Sequence, residues 1–296
     1  MLISRKLKDK INHKWMLLSL MVVIVLPFVL GIGLYLKSEM LLDKYSLWQL
    51  ITSTEWKPWS GKFGFLPYIV SSLWVTLFAL IIAVPGCILI AIYLTEYAKP
   101  WVLKIMHPII DILSGIPSVI YGVWGILVIV PLISNYIAPF FGIQTSGYTI
   151  LTGAIVLAVM IIPFMLNILI DILQTTPAEL KEASLSLGAT RWETIKFVVV
   201  RRAFPGIVSA IALGLSRAFG ETIAVLMVVG NVAIIPKNPL QPGYPLPALI
   251  ANNYGEMMSI PMYDSALMLA ALILFIVVLI FNLIARLTIV KLEKSR

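Results

Sequence analysis

The sequence predicts an all-α integral membrane protein with about six transmembrane helices, and three observations lead there. The first is composition: 60% of the 296 residues are hydrophobic and 12% charged, which excludes a soluble globule. The second is the recurrence of apolar runs long enough to cross a bilayer, near 16–36, 67–94, 105–133, 148–173, 203–230 and 265–286. Each should be a helix, because backbone in lipid must satisfy its own hydrogen bonds. The third is where the cations fall. Arg5 to Lys14, Lys99, Lys104, Lys181, Arg191 to Arg202 and Arg286 to Arg296 lie on one side of the spans. Lys37, Lys44, Lys57, Lys62 and Lys237 lie on the other. This asymmetry predicts cytoplasmic termini and a cytoplasmic 177–202 loop, in a cell inner membrane. It also accounts for the net charge of +8 without any nucleic acid partner.

In chain order, residues 1–15 form a basic tail, and span one reads as a retained signal anchor containing Pro27, Gly31 and Gly33. Residues 37–66 form an external segment holding Trp48, Trp56, Trp59, Phe63 and Phe65. An interfacial aromatic belt is favoured there over a docking surface for an external partner. Together 1–66 make an N-terminal unit, and 67–291 the transmembrane core. Span two contains Pro85-Gly86 and ends at Glu96, Lys99 and Lys104. Span three opens with D-I-L-S-G-I-P-S-V-I-Y-G-V-W-G, Asp111 to Gly125. Gly115, Pro117, Ser118 and Gly122 in that run suit either a pathway-lining break or tight packing between helices. A short uncharged loop, 134–147, leads to span four, with Pro163, Asn167 and Asp171. Residues 231–263 are rich in proline and asparagine and predict an external loop with a short helix around Ala248–Met258.

Between spans four and five the chain turns polar. Pro177 suits a first helical turn, Thr175 and Thr176 are candidate caps, and Leu180, Ala183 and Leu187 share one face. Gly188 stops that helix and a second begins near Arg191. Periodicity alone allows an ordinary amphipathic surface loop. The residues Glu182, Ala183 and Ser184, then Gly188, Ala189, Thr190, Arg191 and Trp192, resemble the EAA loop of ABC importer permeases. The resemblance implies a type I (MetI-like) permease fold and a coupling helix that sits in a cleft of a separate ATPase. The match departs at Arg201, where that pattern has proline; Pro205 comes four residues later.

Arg217 and Glu221 lie four residues apart in the fifth apolar run, which predicts one face of one helix. An intramembrane charge costs about 2.5–3.5 kcal/mol on insertion scales, so both should face protein or a cavity. A guanidinium can give a planar fork of donors to a tetrahedral oxyanion, with Glu221 holding it when no anion is present. Ser216 and Thr222 could add hydrogen bonds. The structural alternative is a mutually stabilising pair, which is weak because Arg before Glu is the poorer order and buried pairs stabilise little.

The runs G-I-P-S-V-I-Y-G-V-W-G and S-R-A-F-G-E-T-I-A-V-L-M-V-V-G-N resemble phosphate importer permeases, the second resembling the C-type subunit more than its A-type partner. That resemblance, over roughly 67–286, implies a heterodimer with a second permease, a dimer of ATP-binding subunits, an extracytoplasmic phosphate-binding protein and inorganic phosphate as cargo. A permease for another oxyanion, molybdate or sulfate, and a channel without energy coupling remain as alternatives. The lone Cys87 and the separated His13 and His107 offer no metal cluster, no cofactor is expected, and no phosphate-binding G-x-x-x-x-G-K-[ST] loop occurs. With no nucleophile–base constellation either, the chain reads as a transport subunit, not an enzyme.

Overall fold

The computed structural model describes residues 5–255 and 260–294. Six helices in it are long and apolar enough to cross a membrane, as the composition requires. Span one is the single helix Arg5–Leu42, continuous through Pro27. It packs mainly against span six, Pro261–Lys294, and presents most of its apolar surface outward, as a lipid-facing helix does. Span four, Ile150–Gln174, is the central post. Its Ala154, Leu157, Ile161, Met165, Leu169 and Ile170 are buried against span two, Leu66–Ile92, against span five, Arg191–Gly220, and against the helix Pro100–Gly115.

Several boundaries differ from the hydropathy reading. The apolar run 105–133 is two helices, Pro100–Gly115 and span three, Ser118–Phe140. Pro117 has no N–H to donate, and a residue before proline is driven out of the helical region. Ile116 accordingly takes φ −65°, ψ 128°, and Pro117 occupies the N-cap of span three. Span three runs on to Phe140, into what hydropathy assigns to a loop. Span five starts at Arg191, since charge marks where a helix leaves lipid and not where it begins. It stops at Gly220 in place of 230; a second short helix, Ile223–Val228, follows the break. Turns of π-helix at Tyr93–Tyr97, Gly125–Ile129, Ile133–Ile137 and Ile195–Val199 each widen a helix by one residue. The last lies just ahead of Arg201.

The ends of the spans opposite the two termini are tied together by backbone accounting. The first turn of span four has N–H groups without helical partners. Thr149 Oγ1 accepts from Thr152 N (3.2 Å), and the carbonyls of Gln241 and Pro239 accept from Ile150 N and Leu151 N. The loop bearing those carbonyls is held in turn by Ser71 and Ser72 of span two, whose hydroxyls accept from Tyr244 N and Leu246 N. Its helix is Leu246–Asn253, earlier than the sequence reading; Met258 lies outside the described residues.

The aromatic belt expected in 37–66 is divided. Trp56 and Phe63 belong to a two-stranded hairpin that the sequence reading missed, Trp56–Lys57 against Lys62–Phe63. The Trp56 ring meets Phe63, Phe65, Tyr68 and Tyr263 edge-on at 5.1–5.9 Å between centroids. Those rings form a second buried cluster with Leu246, Leu249 and Leu267. Only Trp48 (75% exposed) and Trp59 (82%) are placed as a belt would place them.

Gly147 makes one test of this end. Its φ is +86°, and an added Cβ would lie 2.3 Å from the Val130 carbonyl oxygen. Gly147→Ala is expected to cost at least about 2 kcal/mol through left-handed strain and the clash. Thermal denaturation of the detergent-solubilised protein reads this as a lowered midpoint.

Candidate functional site

Two groups of candidate residues occupy different levels of the bundle. The first is the 177–202 loop. Neither threonine caps its helix: Thr175 Oγ1 donates back to Ile172 O (2.7 Å), and the buried Thr176 hydroxyl has no hydrogen-bond partner among the described residues. Pro177 is itself the N-cap, and the helix runs Ala178–Ser186 with no buried residue. Leu180, Glu182, Ala183 and Leu185 are exposed, and Leu187 is 89% exposed. Among the described residues, these leucines outside the membrane spans are left largely uncovered.

Gly188 then turns the chain at φ +86°, its N–H donating to Leu185 O. Ala189 N reaches Ser184 O (3.3 Å), which closes the helix end. Thr190 starts the next helix with a reciprocal cap: its Oγ1 accepts from Glu193 N, and its own N–H donates to Glu193 Oε2 (2.7 Å). The two helices are joined by a Ser184–Thr194 hydroxyl contact of 2.9 Å. Arg191 stacks on the Tyr97 ring at 4.7 Å and donates to the Glu96 carbonyl; Lys181 pairs with the Glu96 carboxylate at 2.6 Å. The sequence reading saw Glu96 only as a boundary charge.

The second group surrounds Arg217, and here the geometry corrects the expected pairing. Arg217 is in the last turn of span five and Glu221 is beyond it, at φ −72°, ψ 128°. They do not share a helical face, because the helix ends between them. Glu221 Oε1 instead accepts from Ala224 N (3.1 Å), at the start of Ile223–Val228. Among the described residues no carboxylate lies within ion-pair distance of Arg217. Its guanidinium stacks on Phe164 at 4.6 Å, near the middle of span four. The arginine is therefore placed well inside the bundle. The negative end of the span-five helix dipole and an aromatic face favour its charge there.

The flanking polar groups divide. Ser216 Oγ lies within hydrogen-bonding distance of Ala212 O (2.9 Å) and Asn282 Oδ1 (3.0 Å), so it binds span five to span six. Thr222 Oγ1 donates to Gly220 O (3.3 Å) and lines a cavity of about 410 Å³ with Pro247, Ile250, Ala251, Tyr254 and Leu274. Gly122 faces no open space. A Cβ there would meet Met227 Sδ at 2.5 Å and Ala224 Cα at 3.3 Å, so span three packs closely on the short helix after the break. Gly115 and Pro117 are exposed, and Ser118 opens span three. Phe164 and Asn282 were missed by the sequence reading; a single amide in the apolar run of span six was the signal available for Asn282. Among the described residues no group of three or more His, Cys, Asp or Glu could hold a metal.

Comparison with known proteins gives the family and the fold. Residues 87–294 match the model of a family described as "Binding-protein-dependent transport system inner membrane component". The "Probable ABC transporter permease protein YqgH" of Bacillus subtilis is 39% identical over 240 residues, 80% of this chain and 76% of that one. The "Phosphate transport system permease protein PstC" of Xylella fastidiosa is 38% identical over 257 residues, 82% and 79%. A "Probable phosphate transport system permease protein PstC" of Methanocaldococcus jannaschii is 33% identical over 300 residues, 95% and 94%. The fold is shared with a bacterial ABC transporter involved in import of the acidic polysaccharide alginate. The TM-score is 0.56 at 17% identity, over 95% of this chain and 99% of that one.

Proposed function

Because the chain belongs to the family of binding-protein-dependent transport system inner membrane components, we propose that it is one of two permeases of an ATP-driven importer of inorganic phosphate. It is a multi-pass membrane protein and a transport component, not an enzyme. Members of this family work with an ATPase, a substrate-binding protein and a second permease. The finer reading gives it a related but different second permease, two ATP-binding subunits and an extracytoplasmic phosphate-binding protein. The distribution of cations supports cytoplasmic termini and a cytoplasmic 177–202 loop. The core is assigned to 67–291 and the N-terminal unit to 1–66. Support comes from the buried cluster that gathers spans two to five, although 41–65 also pack on residues 246–273.

The observation that carries this reading is a guanidinium at a break in a span that, among the described residues, has no carboxylate within ion-pair distance. Broken membrane helices leave backbone groups that require a cavity or a ligand, which is how transporters build sites near the midplane. A phosphate at Arg217 would replace lost hydration with two charge-assisted hydrogen bonds. Relatives named for phosphate transport favour that anion. Molybdate or sulfate would use the same fork.

The test uses the complex purified through this chain with its ATPase, second permease and binding protein, reconstituted in vesicles. ATP-dependent uptake of labelled phosphate is expected, unaffected by excess sulfate or molybdate. Uptake of one of those anions with exclusion of phosphate would overturn the substrate. Leakage independent of ATP would overturn coupling.

A further inference from the structure

The 177–202 loop touches the end of span two from both of its helices. Lys181, from Ala178–Ser186, donates to the Glu96 carboxylate at 2.6 Å. Arg191, from the helix after Gly188, donates to the Glu96 carbonyl and covers the Tyr97 ring. Glu96 and Tyr97 are the last residues of the π-helical turn Tyr93–Tyr97, which closes with Ala98 N on Tyr93 O (2.8 Å). The ion pair is not an ordinary surface pair. The Glu96 side chain is 9% exposed and that of Lys181 26%, so neither is fully screened by water. The Ala178–Ser186 helix has no buried residue, and this pair and the Ser184–Thr194 contact are two side-chain attachments that orient it.

We infer that Glu96 is a positioning residue for energy coupling: through Lys181 it makes span two move with the loop that the ATPase pushes. The physical reason is stiffness. A helix that rests on solvent can tilt under load without moving anything else. One pinned to span two by a partly buried charge pair transmits its displacement, and span two packs along span four, where Phe164 carries the Arg217 guanidinium. Arg191 holds the other helix through the Glu96 backbone, so the two attachments are separable. Changing the Glu96 side chain releases Lys181 and leaves the Arg191 contact in place.

This inference rests on the ATP-coupled reading above, and the experiment separates the two. In the reconstituted complex, phosphate transported per ATP hydrolysed is measured for wild type, Glu96→Gln, Lys181→Met and the exchanged pair Glu96→Lys/Lys181→Glu. Each single variant is expected to lower that ratio on the order of tenfold, the scale of substitutions along coupled networks. ATP hydrolysis and subunit assembly should persist, and the exchanged pair should recover most of the ratio. Unchanged ratios in both single variants, with a wild type that couples, would overturn the inference alone. So would single variants that lose subunit assembly along with the ratio, or an exchanged pair that assembles without recovering the ratio, since the loss would then not come from an unpaired charge at this contact. A wild type that hydrolyses ATP without moving phosphate would overturn the coupling reading itself.

Discussion

Arg217→Ala is expected to reduce phosphate uptake by at least two orders of magnitude while the complex still assembles. Truncating one partner of a buried, hydrogen-bonded charge pair costs about 2–5 kcal/mol, and 1.4 kcal/mol is a factor of ten. Without the guanidinium, an anion reaching the break after Gly220 would meet the Glu221 carboxylate and the carbonyl end of span five. Both repel it. Assembly should survive because the half-buried arginine makes its aromatic contact with Phe164 of this same chain. Arg217→Lys separates charge from shape. It keeps the cation but loses the planar fork, so partial uptake with weaker substrate dependence is expected. Uptake measured in vesicles, beside co-purification of the ATPase, checks both. Normal uptake by the alanine variant would remove this residue from the pathway.

Glu221 belongs in the same argument, with a different role from the one its spacing suggests. Four residues on a helix imply a shared face, and that inference fails where the helix ends. The Glu221 carboxylate is occupied by Ala224 N, so it fixes the start of the short helix Ile223–Val228. That helix is the surface on which Gly122 of span three packs. The break is thus braced from both sides, and the Glu221 carboxylate is held by Ala224 N in place of the Arg217 guanidinium.

What could be read from the residues, and what could not, follows from the range of each physical signal. Hydropathy found all six spans because bilayer immersion acts on runs of residues. It misplaced span three because Pro117, a strictly local break, lies inside an apolar run. It missed the end of span five because Gly220, Glu221 and Thr222 lie between apolar runs, and three residues of non-helical backbone do not change a window-averaged hydropathy. The π-helical turns left no mark, since one extra residue per turn does not alter the apolar character of the run. The Gly188 turn and the start at Arg191 were legible, because left-handed glycine and a Thr-x-x-Glu cap are short-range signals. The Lys181–Glu96 pair spans 85 positions of chain, and nothing local announces it.

The Gly188 turn yields the second large effect. Gly188→Val is expected to leave the complex assembled and hydrolysing ATP, with transport reduced about tenfold or more. A left-handed conformation costs an L-residue about 1–2 kcal/mol, and more for a β-branched one. A Cβ at 188 would have nothing within 4 Å in this chain, so the penalty is one of backbone alone. The chain can relieve it only by reorienting Ala178–Ser186 against the Arg191 helix, which opens the Ser184–Thr194 contact and swings the exposed Leu180, Leu185 and Leu187 off line. A substitution series identifies the cause. If φ decides the outcome, function should fall in the order Gly, Asn, Ala, Val, because asparagine tolerates the left-handed region although it is larger than alanine. If contact with the ATPase decides it, function should fall with size, and asparagine should be worse than alanine. Coupling ratios for the four side chains at this one position distinguish a turn that aims the helix from a gap that the partner fills.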